Sequence, residues 1–440
     1  MKKLFPLFLA GSLFCSAANA ADLLSVYREA VDHDASFASA SAALEAGREK
    51  LPHGRSGLLP TIGLGASTVW NDTDVTRRVN GAVANSVNFN SNGWSVSLTQ
   101  PLFRWQNWIA YSQAEIAVAV AETQYAGARM DLIVRVAQAY FDVLLAQDVL
   151  TTADAQKKQI AEQLESAKRN FEVGTSTITD THEAQARYDL VVAQEIAATN
   201  DLAAKRQAFQ VLIGKEPDGL KRLKAGVDLS PPQPADINKW VEMAESSAIP
   251  VLLAQASHDI AQKEVERQRG AHYPTLDVVA THGRSSQSFS SSLGAGADNN
   301  SMTLGLQLAV PLYAGGALSS KDREVAALKI KARADLDVAR RTAALNTRQA
   351  YLGVTSGLAQ VKAFEAALVS SQSAVDSTKL GYEVGVRINL DVLNAQTQLF
   401  DTRQKLAKAR LDTLTALLKL KAASGSLVED DLLAVNALLE

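Results

Sequence analysis

Two stretches in the first half of the chain alternate apolar residues with small polar ones. Ile62, Leu64 and Ala66 alternate with glycine and serine, and the alternation resumes over residues 94–98 after an Asn-rich span. A period of two residues places one kind of side chain on each face of a β-strand. The pattern predicts a β-hairpin over residues 61–101.

The second half of the chain repeats this alternation and predicts another hairpin over residues 275–311. Strands of about ten residues with one apolar face are typical of transmembrane β-strands. A soluble hairpin beside a helical domain explains the alternation equally well. Four tryptophans lie at the strand ends or just beyond, where they suit an interfacial belt or ordinary packing: Trp70, Trp94, Trp105 and Trp108.

A long helical pattern follows each hairpin. No proline interrupts residues 104–171 or 317–380, and apolar residues within 132–153 recur at alternating spacings of three and four. This heptad pattern is typical of helices that pack along their length. A second apolar seam indicates neighbours on two sides, as in a wall of helices; one broad face in a solid bundle is the alternative. Shorter helices are predicted over residues 22–55, 180–213, 239–269 and 391–423.

One segment occurs twice, at residues 171–185 and 382–396. In each copy a glycine follows a helical run and an aspartate opens the next one. Glycine just past a helix can supply the left-handed residue that stops it, and Asp180 can cap the helix that follows. Each copy is therefore predicted to be the tip of an antiparallel helical hairpin. With the duplicated β-hairpins, this indicates two tandem repeats, residues 21–230 and 231–440.

Composition and charge exclude several classes of protein. The net charge is −3, and no Lys/Arg cluster indicates nucleic-acid binding. Residues 1–20 combine two lysines, an apolar run and a final Ala-Asn-Ala, which is typical of a secretory signal peptide; a short buried helix is the alternative. The only cysteine, Cys15, would leave with that peptide. The histidines are scattered and no catalytic or phosphate-binding motif occurs, so we predict no enzyme activity, no cofactor and no metal site.

The strand count limits how such a chain could meet a membrane. Four strands cannot close a barrel, because transmembrane barrels have about eight strands or more. An open sheet edge in lipid would leave backbone groups unpaired at high cost. If the strands cross a membrane, several chains must share one barrel, and helices would continue below it.

A family resemblance rests on short segments that occur in a fixed order over nearly all of the mature chain. These segments are Leu58-Leu-Pro-Thr-Ile-Gly-Leu-Gly65, Ala139-Tyr-Phe-Asp-Val-Leu144, Phe171-Glu-Val-Gly174, Pro274-Thr-Leu-Asp-Val278, Pro311-Leu-Tyr-Ala-Gly-Gly316, Tyr382-Glu-Val-Gly385 and Asp391-Val-Leu393. The chain resembles the outer-membrane efflux protein (outer membrane factor) family. The resemblance implies a mixed α and transmembrane β fold. In it, a homotrimer forms a 12-stranded β-barrel, with four strands per chain, in the outer membrane of a Gram-negative bacterium. A long periplasmic α-helical barrel continues the β-barrel.

The resemblance also implies a function without a catalytic step. Such a duct passively conducts small toxic compounds or secreted proteins to the outside, as in multidrug efflux and type I secretion. The implied partners are a periplasmic adaptor (membrane fusion) protein, an inner-membrane RND or ABC transporter, and outer-membrane lipid. The alternative is a periplasmic adaptor or coiled-coil scaffold, which would show one hairpin rather than two tandem halves.

By resemblance, the periplasmic end is closed by polar links between the hairpins. The gate positions are Thr179, Asp180, Tyr382 and Arg387. Asp–Arg and Asp–Tyr links of this kind are charge-assisted hydrogen bonds, worth roughly 1.5–3 kcal/mol each. A simple capping role is an equal alternative for Asp180.

Four further positions are assigned by the same resemblance. Asp391 and Asn394 match an entrance ring that favours cations. Because the family pattern has aspartate at the second of these positions, we expect Asn394 to weaken block by multivalent cations. Gly174 and Gly385 match the tips at which adaptor hairpins dock.

Overall fold

The computed structural model describes residues 21–77, 83–216, 219–224, 226–227, 229–289 and 295–440. The predicted signal peptide lies outside these residues. Among them, no helix combines the length and apolar composition needed to cross a bilayer. The elements in chain order are α1 (Leu23–His33), α2 (Ala35–Arg48), α3 (Lys50–Ser56), β1 (Thr61–Arg77), β2 (Val83–Phe103), α4 (Trp105–Glu172), α5 (Ile178–Ile213), α6 (Ile237–Ser247), α7 (Ile249–Arg269), β3 (Thr275–Gln287), β4 (Ala297–Ala309), α8 (Ala317–Glu383), α9 (Asn389–Ala423) and α10 (Glu429–Asn436).

The two long helices, α4 and α8, are confirmed, as are α5 and α9. Two other predicted helices are interrupted. The helix expected over residues 22–55 is three helices, and the one expected over 239–269 is two, separated at Ala248. Asp34 causes one of these breaks, because its backbone is extended and its carboxylate accepts a hydrogen bond from the Phe37 N–H at 2.8 Å. An aspartate that caps the next helix in this way ends the previous one.

Both predicted hairpins are confirmed, and their strands join one sheet of order β1-β2-β3-β4 with every neighbouring pair antiparallel. β1 and β2 are longer than the ten residues expected, with 17 and 21 residues. Among the described residues, β1 and β4 each have one strand neighbour, so both edges of the sheet present unpaired backbone groups.

The strand register separates the sheet into an apolar and a polar face. Ile62, Leu98, Ala280 and Leu304 are consecutive partners on one face. Ile62 and Leu304 are 70% and 74% exposed, as are most large apolar residues along β4. The row beside them on the opposite face consists of Gly63, Ser97, Thr281 and Thr303. An exposed apolar sheet face with two open edges suits a membrane barrel shared between chains.

The chain divides into two compact units, and each takes segments from both tandem halves. One unit, Ala40–Ala126 with Ile249–Thr342, contains the sheet and the helix segments next to it. Its helices approach closely where side chains are small, since any side chain at Gly47 would clash with the Cβ of Ala121. Gln113 Nε2 on α4 donates to Glu264 Oε2 on α7 at 3.0 Å, and Arg267 binds the same carboxylate.

The other unit, Met1–Ser39 with Gly127–Ala248 and Ala343–Glu440, is helical and contains both tips. Short bridges pair Ala21 with Leu220 and Leu223 with Leu439. The buried Tyr140 donates its hydroxyl to the Lys221 carbonyl at 2.8 Å. These contacts fix the segment after α5 against α4 and the C-terminal residues.

Candidate functional site

The two helical tips have the same backbone geometry. Gly174 and Gly385 have φ values of +77° and +79°, so both are left-handed, as predicted. The Gly174 N–H donates to the Phe171 carbonyl at 3.0 Å, and the Gly385 N–H donates to the Tyr382 carbonyl at 3.1 Å. Glycine is required here by the backbone angle rather than by crowding, because a side chain at either position would meet no described residue within 4 Å apart from its own chain neighbours.

A capping box forms at the first tip, where α5 begins. The N-cap of α5 is Thr177, and not Asp180 as predicted; Asp180 occupies the third helical position. The Thr177 N–H donates to Asp180 Oδ2 at 3.0 Å, and the Asp180 N–H donates to Thr177 Oγ1 at 3.4 Å. Thr179 is exposed beside this box. The Asp180 carboxylate therefore already accepts hydrogen bonds at the N-terminus of α5.

The second tip lacks this cap. Ile388 stands at the N-cap of α9 and has no side-chain hydroxyl to accept the helix N–H groups. Asp391 occupies the position equivalent to Asp180, and Arg387 Nη1 lies 3.5 Å from Asp391 Oδ2. The two side chains are 61% and 36% exposed, so this pair contributes little on its own. Arg387 and Asp391 are available for other contacts.

Side chains of the first tip contact the second tip directly. Asn170 Nδ2 donates to the Tyr382 hydroxyl at 3.1 Å, and Arg187 Nη2 donates to Asn394 Oδ1 at 2.8 Å. Gln163 Nε2 donates to Asn389 Oδ1. Each contact joins the first half of the chain to the second.

The expected Asp–Tyr and Asp–Arg links are not formed within the described chain. The partner of Tyr382 is Asn170, and the partner of Asp180 is Thr177. Arg387, which precedes α9, pairs with Asp391 in the first turn of α9. The structure thus places the predicted gate residues at the tips, but it joins the halves through the amides of Asn170 and Asn394.

An apolar cluster also joins three helices, α4, α5 and α9. Tyr188 packs against it, and its buried members are Ile160, Leu164 and Ala167 of α4, Ala184 and Val191 of α5, and Leu393 of α9. Farther along α4, Lys157 Nζ lies 2.5 Å from Glu195 Oε2 of α5, and the hydrogen bond from Glu195 raises the pKa of Lys157. Lys157 therefore keeps its positive charge.

Several polar atoms near the tips are buried without a hydrogen-bond partner in the described chain: Ser176 Oγ, Thr181 Oγ1, Asn389 Nδ2 and Gln396 Oε1. Leaving such a group unpaired costs about 1–3 kcal/mol. Four more such atoms lie elsewhere in the described chain, so unpaired polar groups are not confined to the tips.

The sequence profile of one family, described as "Outer membrane efflux protein", matches residues 26–215 and 240–426. The chain belongs to the outer membrane efflux protein family. Its four-stranded sheet and long helices confirm the predicted fold class, which is that of trimeric channels. This family member is an outer-membrane exit duct with a periplasmic helical part, and it is not an enzyme. A periplasmic adaptor or scaffold is not favoured.

Curated relatives match this family member over almost its whole length. It is 33% identical to the outer membrane protein TolC of Vibrio cholerae over 99% of this chain and 98% of the relative. It is also 33% identical to the alkaline protease secretion protein AprF of Pseudomonas aeruginosa, over 99% of this chain and 91% of the relative. The crystal structure of VceC, an outer membrane protein of Vibrio cholerae, matches with a TM-score of 0.76 at 20% identity. That match covers 92% of this chain and 96% of the other.

Reasoning from the sequence missed Gln163, Asn170 and Arg187. A signal for two of them exists in the comparison of the tandem repeats. Asn170 aligns with Gly381 and Arg187 aligns with Gln398, so each supplies a polar or charged group that its counterpart lacks. Positions at which the two halves differ in this way are candidates for contacts between them.

Proposed function

We propose that the chain works as a homotrimeric exit duct that is closed at its periplasmic tips and opened by a docked partner. Three four-stranded sheets complete one barrel, with the apolar face toward outer-membrane lipid and the Gly/Ser/Thr face toward the lumen. The duct has no energy source of its own. Transport is driven by the inner-membrane component with which it assembles.

The open edges of the sheet support the trimeric assembly. In the part of the chain that the structure describes, β1 and β4 each lack a second strand neighbour. In lipid those edges must pair, and pairing β4 of one chain with β1 of the next satisfies both. This single observation carries the proposal, because a chain that works alone would leave both edges unpaired.

The proposed gate uses Thr179, Asp180, Tyr382 and Arg387. Arg387 is mostly exposed and bound only weakly within its own chain. Contacts of Arg387 with the Thr179 and Asp180 region of a neighbouring chain would be charge-assisted hydrogen bonds of roughly 1.5–3 kcal/mol each, repeated by symmetry. Links of that size can hold a gate closed and still be broken by partner binding.

The proposed docking points are the two exposed tips at Gly174 and Gly385. Val173, Val384 and Val386 beside them are 72%, 66% and 78% exposed, which gives a partner apolar surface to cover. The partners we propose are a periplasmic adaptor protein and an inner-membrane RND or ABC transporter. The cargo comprises small toxic compounds or secreted proteins, in line with relatives named for efflux and for protease secretion.

The gate is tested with Arg387→Ser in planar bilayers. Loss of the guanidinium should raise the single-channel conductance of the closed protein. Lys408→Ser is the matched control, because Lys408 also forms an exposed pair four residues along α9, with Asp412 at 2.9 Å. Equal conductance of Arg387→Ser and wild type would remove the gate assignment. A purified mature protein that is a water-soluble monomer would refute the duct itself.

A further inference from the structure

Arg187 reaches one of the two residues at which the family resemblance predicts an entrance ring. Arg187 lies on α5, and its Nη2 donates to Asn394 Oδ1 on α9 at 2.8 Å. In the described part of the chain, no carboxylate forms an ion pair with this guanidinium. An arginine side chain stays charged throughout the physiological pH range. A positive charge therefore lies at the ring position where the family pattern has a negative one.

The remaining charges of the proposed gate and entrance are few. Asp180 and Asp391 supply two carboxylates, and Arg387 supplies one guanidinium. These three alone leave each chain with one excess negative charge. Arg187 offsets that excess among these positions, while Glu172, Glu183 and Glu383 add further negative charge to the two tip segments.

We propose that Arg187 is a selectivity-determining residue of the entrance, which lowers the preference for cations that Asp391 and the other tip carboxylates create. The inference rests on the proposed function, because it requires these residues to border the pore. Rings of charged side chains determine which ions enter a channel. Here the Asn394 amide accepts a hydrogen bond from the Arg187 guanidinium, whereas a carboxylate at this position would attract a cation.

If Arg187 had a purely structural role, in which it only links α5 to α9, a different result would be expected. Gln at position 187 keeps a hydrogen-bond donor but loses the charge, whereas Lys keeps the charge and loses the planar geometry. If Arg187 acts through its charge, ion selectivity follows the charge of residue 187. If Arg187 only links the two helices, its substitution would affect channel opening or stability and leave ion selectivity unchanged.

The test is the reversal potential of purified trimers in planar bilayers under a KCl gradient. Arg187→Gln should raise the permeability ratio of K⁺ to Cl⁻ by roughly sevenfold, because a unit charge about 7 Å away in water changes the local concentration of each monovalent ion about threefold, in opposite directions for K⁺ and Cl⁻. Arg187→Lys should match wild type.

Two further variants complete the experiment. Asn394→Asp adds a carboxylate at the same position and should also favour K⁺, which keeps the proposal testable if Arg187→Gln fails to fold. Arg206→Gln is the matched control, since Arg206 is an exposed arginine elsewhere on α5. Titration with a trivalent cation should block Arg187→Gln more strongly than wild type.

One result would overturn the inference and leave the duct intact: an Arg187→Gln channel with wild-type selectivity. Failure of every variant and of wild type to form channels would instead refute the proposed function.

Discussion

The Tyr382 hydroxyl accepts a hydrogen bond from Asn170 Nδ2 at 3.1 Å, and this contact joins the tip of the first half to the tip of the second. Both residues lie in the last turns of the long helices, α8 and α4. A single neutral hydrogen bond contributes about 1 kcal/mol, which is small enough for a docking partner to break.

Removing either partner of this bond should loosen the closed tip. We expect Tyr382→Phe and Asn170→Ala each to raise the closed-state conductance of single channels. The double variant should exceed the single variants by little, because both changes remove the same bond. Asn346→Ala, at an exposed asparagine of α8, serves as the control. Fully additive effects would show that the two residues act separately.

The difference in capping between the tips predicts a difference in local stability. Thr177→Ala removes the cap of α5 and should destabilise its first turn by about 1 kcal/mol. Ile388→Thr supplies the missing cap of α9, because Asp391 already occupies the third helical position. Hydrogen–deuterium exchange should become faster at residues 178–181 in the first variant and slower at 389–392 in the second.

Thr177→Ser keeps the hydroxyl and is the control for the first tip. Unchanged exchange in Thr177→Ala would mean that packing, rather than the capping box, starts α5.

The Asp34–Arg135 pair predicts acid sensitivity of the helical unit. Asp34 is 5% exposed, and Arg135 Nη1 lies 2.6 Å from its Oδ2. Burial by itself raises the pKa of Asp34, but hydrogen bonds from Arg135 and from the Phe37 N–H outweigh it and lower the pKa. A lowered folded-state pKa stabilises the protein above the unfolded value of about 3.9, and this stabilisation is lost as the pH falls through the folded-state value.

Thermal unfolding measured between pH 3 and pH 7 should therefore show a loss of stability below about pH 4. Asp34→Asn keeps a cap for α2 but loses the charge, and should lower stability at pH 7 by about 2 kcal/mol. The difference between Asp34→Asn and wild type should shrink as the pH falls. A difference independent of pH would contradict this assignment.

The two faces of the sheet should differ in how well they tolerate a charged side chain. Leu304 lies on the apolar face and Thr303, its neighbour in β4, on the polar one. Leu304→Lys should cost about 2–4 kcal/mol if this face contacts the membrane interior. Thr303→Lys should assemble normally. The measurement is the amount of heat-resistant trimer in the outer-membrane fraction, and equal loss in both variants would contradict a lipid-facing Leu304.

The agreement between sequence and structure is best where a repeated pattern extends over many residues. The alternation through Ile62 and Leu304 and the proline-free stretches of α4 and α8 predict their elements, because side-chain direction follows backbone period. Glycine at 174 and 385 indicates the two turns, because other residues rarely adopt a positive φ. Agreement is worst at single boundaries, where Asp34 divides one expected helix and Thr177, rather than Asp180, caps another.

The sequence by itself determines that this chain has two halves, each with a β-hairpin, a long helix and a glycine-ended tip, because local backbone preference and burial period are encoded along the chain. Only the tertiary structure decides which side chains meet at the tips. Asn170 and Tyr382, or Arg187 and Asn394, are separated by more than two hundred residues, and no local pattern reports their distance. Their pairing depends on how α4, α5, α8 and α9 pack side by side, which is fixed by the apolar cluster between three of these helices.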